Sequence, residues 1–144
     1  MAEVDKSLYR QYAETDEMGI LNLFYQTFGE QRTSSQWRWQ FRDHPKGPSW
    51  VVVADREKNV IGHHGMTRQH LNFLGNEVIG GQDVDAMISK EYRGKGEYTK
   101  LTSFGFDYAR QNGAQALIVF PVGIHSLDLI LSLSGVWVMS GSQI

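Results

Sequence analysis

The chain has 144 residues, enough for one domain with a substantial hydrophobic core. Apolar residues make up 41% and charged residues 21% of the chain, which argues against a disordered protein and against a coiled coil. The formal net charge is −2, from 14 basic and 16 acidic residues, whereas a general nucleic-acid binder needs a clear basic excess. We therefore expect one globular domain over residues 1–144, with no nucleic-acid partner.

Composition also limits the compartment and the chemistry. The chain contains no cysteine, which excludes disulfides, thiolate nucleophiles and cysteine-ligated zinc. The N-terminal MAEVDKSLYR has no apolar segment of the kind that a signal peptide requires. The most apolar stretch, residues 116–139, contains Pro121 and Asp128, and a charge at mid-helix costs about 2.5–3.5 kcal/mol on insertion scales. We interpret this stretch as a strand, a helix and a strand of a core, and expect a cytoplasmic protein with no membrane partner.

The first third of the chain predicts one strand and two helices. SLYRQYAE is interpreted as the first strand, and Thr15 or Asp16 is expected to cap the helix that follows. The apolar residues of that helix recur at helical spacing, at Ile20, Leu21, Phe24 and Phe28. Gly29 is a natural stop. In TSSQWRWQFRD the aromatic residues alternate as in a strand, but the serine caps and the closing DHPKGP favour a short helix, which is our prediction.

The remainder predicts an antiparallel meander and then a βαβ unit. SWVVVAD, VIGHHGMTRQHLNF and EVIGGQDVDAMIS are interpreted as strands joined by the turns DREKN and LGNE. A helix follows, with one apolar face and an Asn112-Gly113 end, and then a strand in QALIVFP, a short helix over residues 126–133 and a strand in VWVM. The order β-α-α-β-β-β-α-β-α-β predicts an α/β (α+β) fold with a mixed, mostly antiparallel sheet and helices on both faces.

A glycine-rich basic turn stands between the third meander strand and the long helix, in ISKEYRGKGEYTKL. A strand, a glycine turn and a helix gather free backbone N–H groups and the positive end of the helix dipole, which together favour phosphate. A Walker-type loop is excluded because Lys95 is followed by Gly96 rather than by Ser or Thr. A dinucleotide fingerprint is excluded because Thr99 stands where its third glycine belongs.

The segment from Arg93 to Tyr98 resembles the coenzyme A pyrophosphate loop of the GNAT N-acetyltransferase superfamily. VDAMISKEYRGKGEYTKL, WRWQFRDHPKGPSWVVVAD, VIGHHGM and the spacing from ALIVFP to Ser126 and Gly135 resemble one branch of that superfamily. The resemblance extends over roughly residues 8–136, and the predicted element order is the GNAT order. It implies an acyltransferase that moves an acetyl group from acetyl-CoA to a primary amine by direct attack.

The resemblance also implies which residues bind the cofactor. The pantetheine arm would lie along the strand that precedes the loop, against the backbone of Met87, Ile88 and Ser89. A backbone N–H near Met87 or Ile88 would polarise the thioester carbonyl. The loop residues implied in pyrophosphate binding are Arg93, Gly94, Lys95, Gly96, Glu97 and Tyr98.

Catalytic groups are implied on the same strand, where superfamily members often carry a carboxylate that takes the proton from the amine. Asp85 is the first candidate and Asp83 the second, and strand alternation places both on one face, opposite Val84 and Ile88. The alternative is that both carboxylates lie on a solvated face or bind neighbouring backbone. Many relatives use a late tyrosine to protonate the leaving thiolate, but no tyrosine follows Tyr108, which leaves this role to Ser126 or to water.

Other departures from the family pattern keep a second function open. Glu97 occupies an ordinarily apolar position of the loop, and relatives in this branch continue beyond this C-terminus, so we expect a shortened member or a fragment. The alternative function is a non-catalytic acyl-CoA-binding or regulatory domain. We expect no metal, because His63 and His64 point to opposite faces of a strand. Trp37 is a candidate for the acceptor side, and an unpaired sheet edge near Ile144 favours a homodimer.

Overall fold

The computed structural model describes residues 6–119 and the backbone of residues 138–139. Its strands and helices are β1 (Leu8–Gln11), α1 (Glu17–Phe28), α2 (Ser34–Phe41), β2 (Trp50–Arg56), β3 (Asn59–Phe73), β4 (Asn76–Ile88), α3 (Glu97–Gln111), β5 (Ala116–Ile118) and β6 (Val138–Met139). Short 3₁₀ turns at Glu14–Asp16 and Lys90–Tyr92 precede α1 and α3. The predicted helix over residues 126–133, including Ser126, lies outside the described residues.

The strands form one mixed sheet in chain order, β1 to β6. The pairs from β1 to β4 are antiparallel, and β5 is parallel to both β4 and β6. Two-residue turns close the meander, with positive φ at Glu57 and Lys58 and at Leu74 and Gly75, the geometry that matches the twist of hairpin strands. The predicted fold class, a mostly antiparallel mixed sheet, is confirmed.

In residues 33–43 the alternating aromatic residues favoured a strand and the capping residues favoured a helix, and the structure has the helix α2. Thr33 rather than a serine is its cap: the hydroxyl accepts the N–H of Gln36 at 3.2 Å, and the Gln36 side chain accepts the N–H of Thr33 at 2.9 Å. This reciprocal arrangement satisfies two helix-end donors and stabilises a helix despite the alternating aromatics. The first helix ends at Gly29, in the left-handed conformation at φ 72°, as predicted.

Alternation along β2 divides the core between the two faces of the sheet. Val51 and Val53 pack against α1 and α2, whereas Val52 and Ala54 pack against α3. The helices therefore cover both faces, as predicted. Trp37 is 2% exposed and packs in the α1–α2 half of this core, so its ring is a core side chain and does not line either face of the protein.

A β-bulge interrupts the pairing of β3 with β4. Gly65 pairs with Val84 and His63 with Met87, so that Asp85 and Ala86 both lie opposite His64. Asp85 takes a φ of 56°, a left-handed conformation in which Asp is less strained than most residues. The extra residue reverses the alternation of side chains beyond it.

The bulge overturns one prediction. Val84 packs on the α1–α2 face and Ile88 on the α3 face, although strict alternation predicted that they share a face. Asp83 contacts His64 on the α3 side, whereas Asp85 contacts Arg32 from the α1–α2 connection. The prediction that the two carboxylates share one face is therefore wrong.

Candidate active site

A cleft opens where β4 and β5 separate. Their pairing ends at Gln82 and Ile118, and within the described part of the chain residues 83–88 have no strand partner on that side. The cleft there has a volume of about 580 Å³ and is lined by the end of α1, the end of β4 and the loop before α3. We call it the β4 cleft. Its size suits a small-molecule site.

Of Met87, Ile88 and Ser89, one residue has its backbone N–H directed toward this cleft. The Ser89 N–H donates to the Ile61 carbonyl of β3 at 2.7 Å, and Met87 pairs with His63 two residues earlier. Because backbone groups alternate in direction along a strand, the N–H of Ile88 faces the open edge instead. The Ile88 carbonyl accepts the Nε of Arg93 at 2.9 Å. Of the predicted trio, Ile88 is therefore the residue whose N–H faces the open edge, where no described strand accepts it.

The loop between β4 and α3 forms a backbone cradle. Gly94 and Gly96 have φ values of 75° and 79°, and a Cβ at either position would meet no atom within 4 Å. Among the described residues, the N–H groups of Gly94, Lys95 and Gly96 have no backbone or side-chain acceptor. Gly96 caps α3, so these donors gather at the positive end of the helix dipole. This arrangement suits an anion such as a pyrophosphate.

The side chain of Glu97 is directed away from that cradle. Its carboxylate accepts the hydroxyl of Ser7 at 3.1 Å and makes a short hydrogen bond with the hydroxyl of Tyr9 in β1. Burial and this carboxylate together raise the pKa of Tyr9, so the phenol remains a donor. The backbone N–H of Glu97 belongs to the first turn of α3, which has no intrahelical acceptor for it. Glu97 therefore puts its N–H, rather than its negative charge, near a bound anion.

The two strand carboxylates have different partners. Asp85 Oδ2 lies 2.6 Å from Nη1 of Arg32, and both side chains are less than one-fifth exposed. Asp83 Oδ1 lies 2.8 Å from Nε2 of His64, which is fully buried. The His64 ring packs edge-on against Phe106 of α3, with ring centroids 5.0 Å apart. Asp85 is thus held by a cation, and Asp83 by an imidazole.

His63 hydrogen-bonds the backbone of the bulge. Its Nδ1 lies 2.8 Å from the backbone carbonyl of Asp85, and its ring packs edge-on against Trp37 and Phe41. Burial lowers the pKa of His63 to about 4, so the ring is neutral near pH 7 and Nδ1 carries the donated hydrogen. The buried ring therefore holds the carbonyl of the residue with the unusual φ.

Sequence reasoning missed Arg32 and His63 as parts of the site. Arg32 contacts Asp85 across 53 residues of chain. The bulge lies at Asp85 and Ala86, where no glycine in the sequence indicates it. The pair His63-His64 was noticed, and its predicted divergence to opposite faces agrees with the contacts to Trp37 and to Phe106.

Residues 6–119 and 138–139 lack a metal cluster and a membrane-spanning helix. In that part of the chain no group of three or more His, Asp or Glu side chains is arranged to hold a metal ion. None of its helices has the length and apolarity needed to cross a membrane.

A family model described as an acetyltransferase (GNAT) domain matches residues 8–127, most of the chain. The chain belongs to the GNAT acetyltransferase family. The resemblance seen in the sequence is thereby confirmed, and the β4 cleft is the candidate active site of this GNAT protein. No curated protein sequence matches the chain significantly.

Solved structures share the GNAT fold of this chain. An acetyltransferase from Trypanosoma brucei is 18% identical, with a TM-score of 0.72 over 96% of this chain and 97% of that one. YhbS from Escherichia coli, solved in complex with CoA, is 19% identical, with a TM-score of 0.71 over 88% of this chain and 69% of that one. Glucosamine-6-phosphate N-acetyltransferase from Arabidopsis thaliana is 17% identical, with a TM-score of 0.68 over 96% and 95%. At these identities the likeness concerns the fold.

Proposed function

We propose that this GNAT protein is a cytoplasmic, acetyl-CoA-dependent N-acetyltransferase that moves the acetyl group to a primary amine. The observation that carries the proposal is the edge of β4, unpaired within the described residues, which leads into the cradle at the start of α3. In that part of the chain the N–H groups of Gly94, Lys95 and Gly96 have no acceptor. The CoA complex of YhbS, a protein of the same fold, agrees with a CoA site here.

In this proposal the cofactor follows the β4 cleft. The pyrophosphate lies at Gly94, Lys95 and Gly96, where backbone donors and the helix dipole favour negative charge. The pantetheine arm extends along residues 86–89, beside the open edge of β4, and brings the thioester carbonyl to the Ile88 N–H. Met87 and Ser89, whose backbone groups face β3, contribute through their positions rather than through free donors. Tyr98, which lines the cleft and is 38% exposed, forms part of its wall.

The reaction is a direct acyl transfer. The amine nitrogen forms a bond to the thioester carbon, the carbonyl oxygen gains negative charge, and the Ile88 N–H stabilises that charge. Asp85 takes the proton that the nitrogen loses. The C–S bond then breaks, and the thiolate takes a proton from Ser126 or from water. Asp83 is the second candidate base, with His64 as its neighbour.

Calorimetry and turnover test this proposal together. We expect acetyl-CoA to bind, and one member of a panel of primary amines to be acetylated. Replacing Asp85 by Asn should lower kcat by about 10²–10⁴-fold with acetyl-CoA affinity unchanged, the size of effect typical of a general base. Asp83→Asn is the matched control. A larger loss from Asp83→Asn than from Asp85→Asn would transfer the base role to Asp83, and no acetyl-CoA binding at hundreds of micromolar would refute the proposal.

One observation favours the second candidate function, a non-catalytic acyl-CoA-binding or regulatory domain. Both candidate bases already have partners, since Asp85 pairs with Arg32 and Asp83 with His64. Acetyl-CoA binding without acetylation of any amine in the panel would favour this function over the enzyme.

A further inference from the structure

The Arg32 guanidinium lies in a largely buried site beside Asp85 and Phe24, which we call the cation site. Its Nη1 lies 2.6 Å from Asp85 Oδ2, with exposed fractions of 18% for the Arg32 side chain and 14% for Asp85. A carboxylate this far from water needs a positive partner, since an uncompensated buried charge is strongly destabilising. The contact joins the α1–α2 connection to the bulge of β4, across 53 residues of chain.

An aromatic ring completes the site. The guanidinium carbon of Arg32 lies 3.8 Å from the centroid of the Phe24 ring, close enough for a cation–π contact. Phe24 is 7% exposed and belongs to the core packed under α1, so the ring is fixed in place. A rigid aromatic face beside a carboxylate is also the pairing by which proteins bind alkylammonium groups.

The site lies at the surface between α1 and α2. Phe24 and Arg32 line a second cleft, of about 500 Å³, together with Glu30 and Trp39, whose side chain is 65% exposed. We call it the α1–α2 cleft. On its inner side Arg32 reaches Asp85, three residues before Ile88, whose N–H faces the β4 cleft. Arg32 thus joins the α1–α2 cleft to Asp85, on the strand whose end lines the β4 cleft.

We propose that Asp85 and Phe24 bind the ammonium group of the acceptor, and that Arg32 fills this place until a cationic acceptor displaces its guanidinium. The inference rests on the proposed function, because it names the acceptor class for that reaction. The acceptors are primary alkylamines that arrive protonated, and the Glu30 carboxylate in the α1–α2 cleft favours the same charge. Once Arg32 has moved, Asp85 contacts the ammonium nitrogen and takes one proton from it, which frees the lone pair for attack. The second proton leaves the nitrogen for water as the C–N bond forms.

Rescue of a truncated arginine tests the cation site without any catalysis. Arg32→Ala removes the guanidinium and most of its stem, and methylguanidinium or methylammonium is then titrated at constant ionic strength. We expect the Tm of Arg32→Ala to rise by about 3–5 °C at ten times the Kd of the cation, with a much smaller rise in the wild type. Arg110→Ala, which removes an exposed arginine paired with Asp107, is the matched control and should show no such rise. Should Arg32→Ala fail to fold, Arg32→Gln provides a second variant, because its uncharged and shorter side chain leaves the place of the guanidinium open.

The double variant Arg32→Ala/Asp85→Asn separates a specific site from general cation effects. It should lose the rise in Tm, and Phe24→Leu in the Arg32→Ala background should weaken it. A rise that persists without Asp85, or the absence of any rise in both Arg32 variants, overturns the inference.

Kinetics test the displacement. With acetyl-CoA saturating, Arg32→Ala should lower KM for a small primary alkylamine by about tenfold, because the acceptor no longer competes with a built-in cation. An unchanged or higher KM contradicts the displacement. If acetyl-CoA fails to bind at all, the proposed enzyme fails while the cation titration still decides the site, so the two failures are distinguishable.

Discussion

Gly96→Val is the sharpest test of the phosphate cradle. Gly96 has a φ of 79° at the cap of α3, and an added Cβ would project into space with no protein atom within 4 Å. Left-handed backbone costs an L residue about 1–2 kcal/mol, which corresponds to a fall in Tm of about 3–8 °C in a domain of this size. We therefore expect a folded variant whose cradle is either re-shaped or blocked by the valine side chain.

The effect on the cofactor should be much larger than the effect on stability. Losing two charge-assisted hydrogen bonds to phosphate, at about 1.5–3 kcal/mol each, weakens acetyl-CoA binding by about 100-fold or more. Calorimetry measures the affinity, and thermal unfolding by circular dichroism measures the stability. Gly75→Val is the matched control, since Gly75 has a φ of 83° and an equally open Cβ position in the β3–β4 turn. If the two variants bind acetyl-CoA equally well, the pyrophosphate does not lie at Gly96.

Three further predictions concern single side chains around the site. His63 has a pKa of about 4 in the folded protein and about 6.5 in the unfolded chain, which therefore binds the proton better. The free energy of unfolding should fall by about 3 kcal/mol between pH 6.5 and pH 4 for this reason. Denaturant unfolding at both pH values measures the fall, and His63→Leu should lack it. Glu97→Gln should weaken the hydrogen bond to Tyr9 and lower the free energy of unfolding by about 1 kcal/mol. Its affinity for acetyl-CoA should stay within about threefold of the wild type. A loss of affinity comparable to that of Gly96→Val would mean that the carboxylate contacts the cofactor. Arg10→Met should lower the free energy of unfolding by about 2 kcal/mol at pH 7, because Arg10 lowers the pKa of the nearly buried Asp16. The difference in stability from the wild type should shrink below pH 4, where Asp16 becomes protonated. A difference independent of pH would contradict this cause.

The sequence predicted the fold well where local signals agree with the tertiary structure. Gly75 in the β3–β4 turn, the Gly29 stop and the glycine loop before α3 carry their own backbone preferences, and the structure has them in place. In residues 33–43 the alternating aromatics competed with a capping box, and the cap decided the outcome because it satisfies donors that the helix end leaves free.

The arrangement of the candidate site was less predictable because it depends on a register shift and on distant contacts. Alternation along β4 fails at Asp85, where one extra residue sends the carboxylates to opposite faces. Nothing near Asp85 in the chain points to Arg32, and nothing near Glu97 points to Tyr9, 88 residues earlier. Such pairs are set by packing of the whole domain and have no local pattern.

The hydrogen bond from His63 to the Asp85 carbonyl has a consequence for the evolution of this protein. The ring lies between the aromatic side chains of α2, Trp37 and Phe41, and the backbone that carries the candidate base. We expect a substitution in that aromatic cluster to shift the imidazole and with it the bulge. For the proposed acetyltransferase, core mutations of α2 are therefore expected to change rate or acceptor preference, and a variant library restricted to the two clefts would miss them.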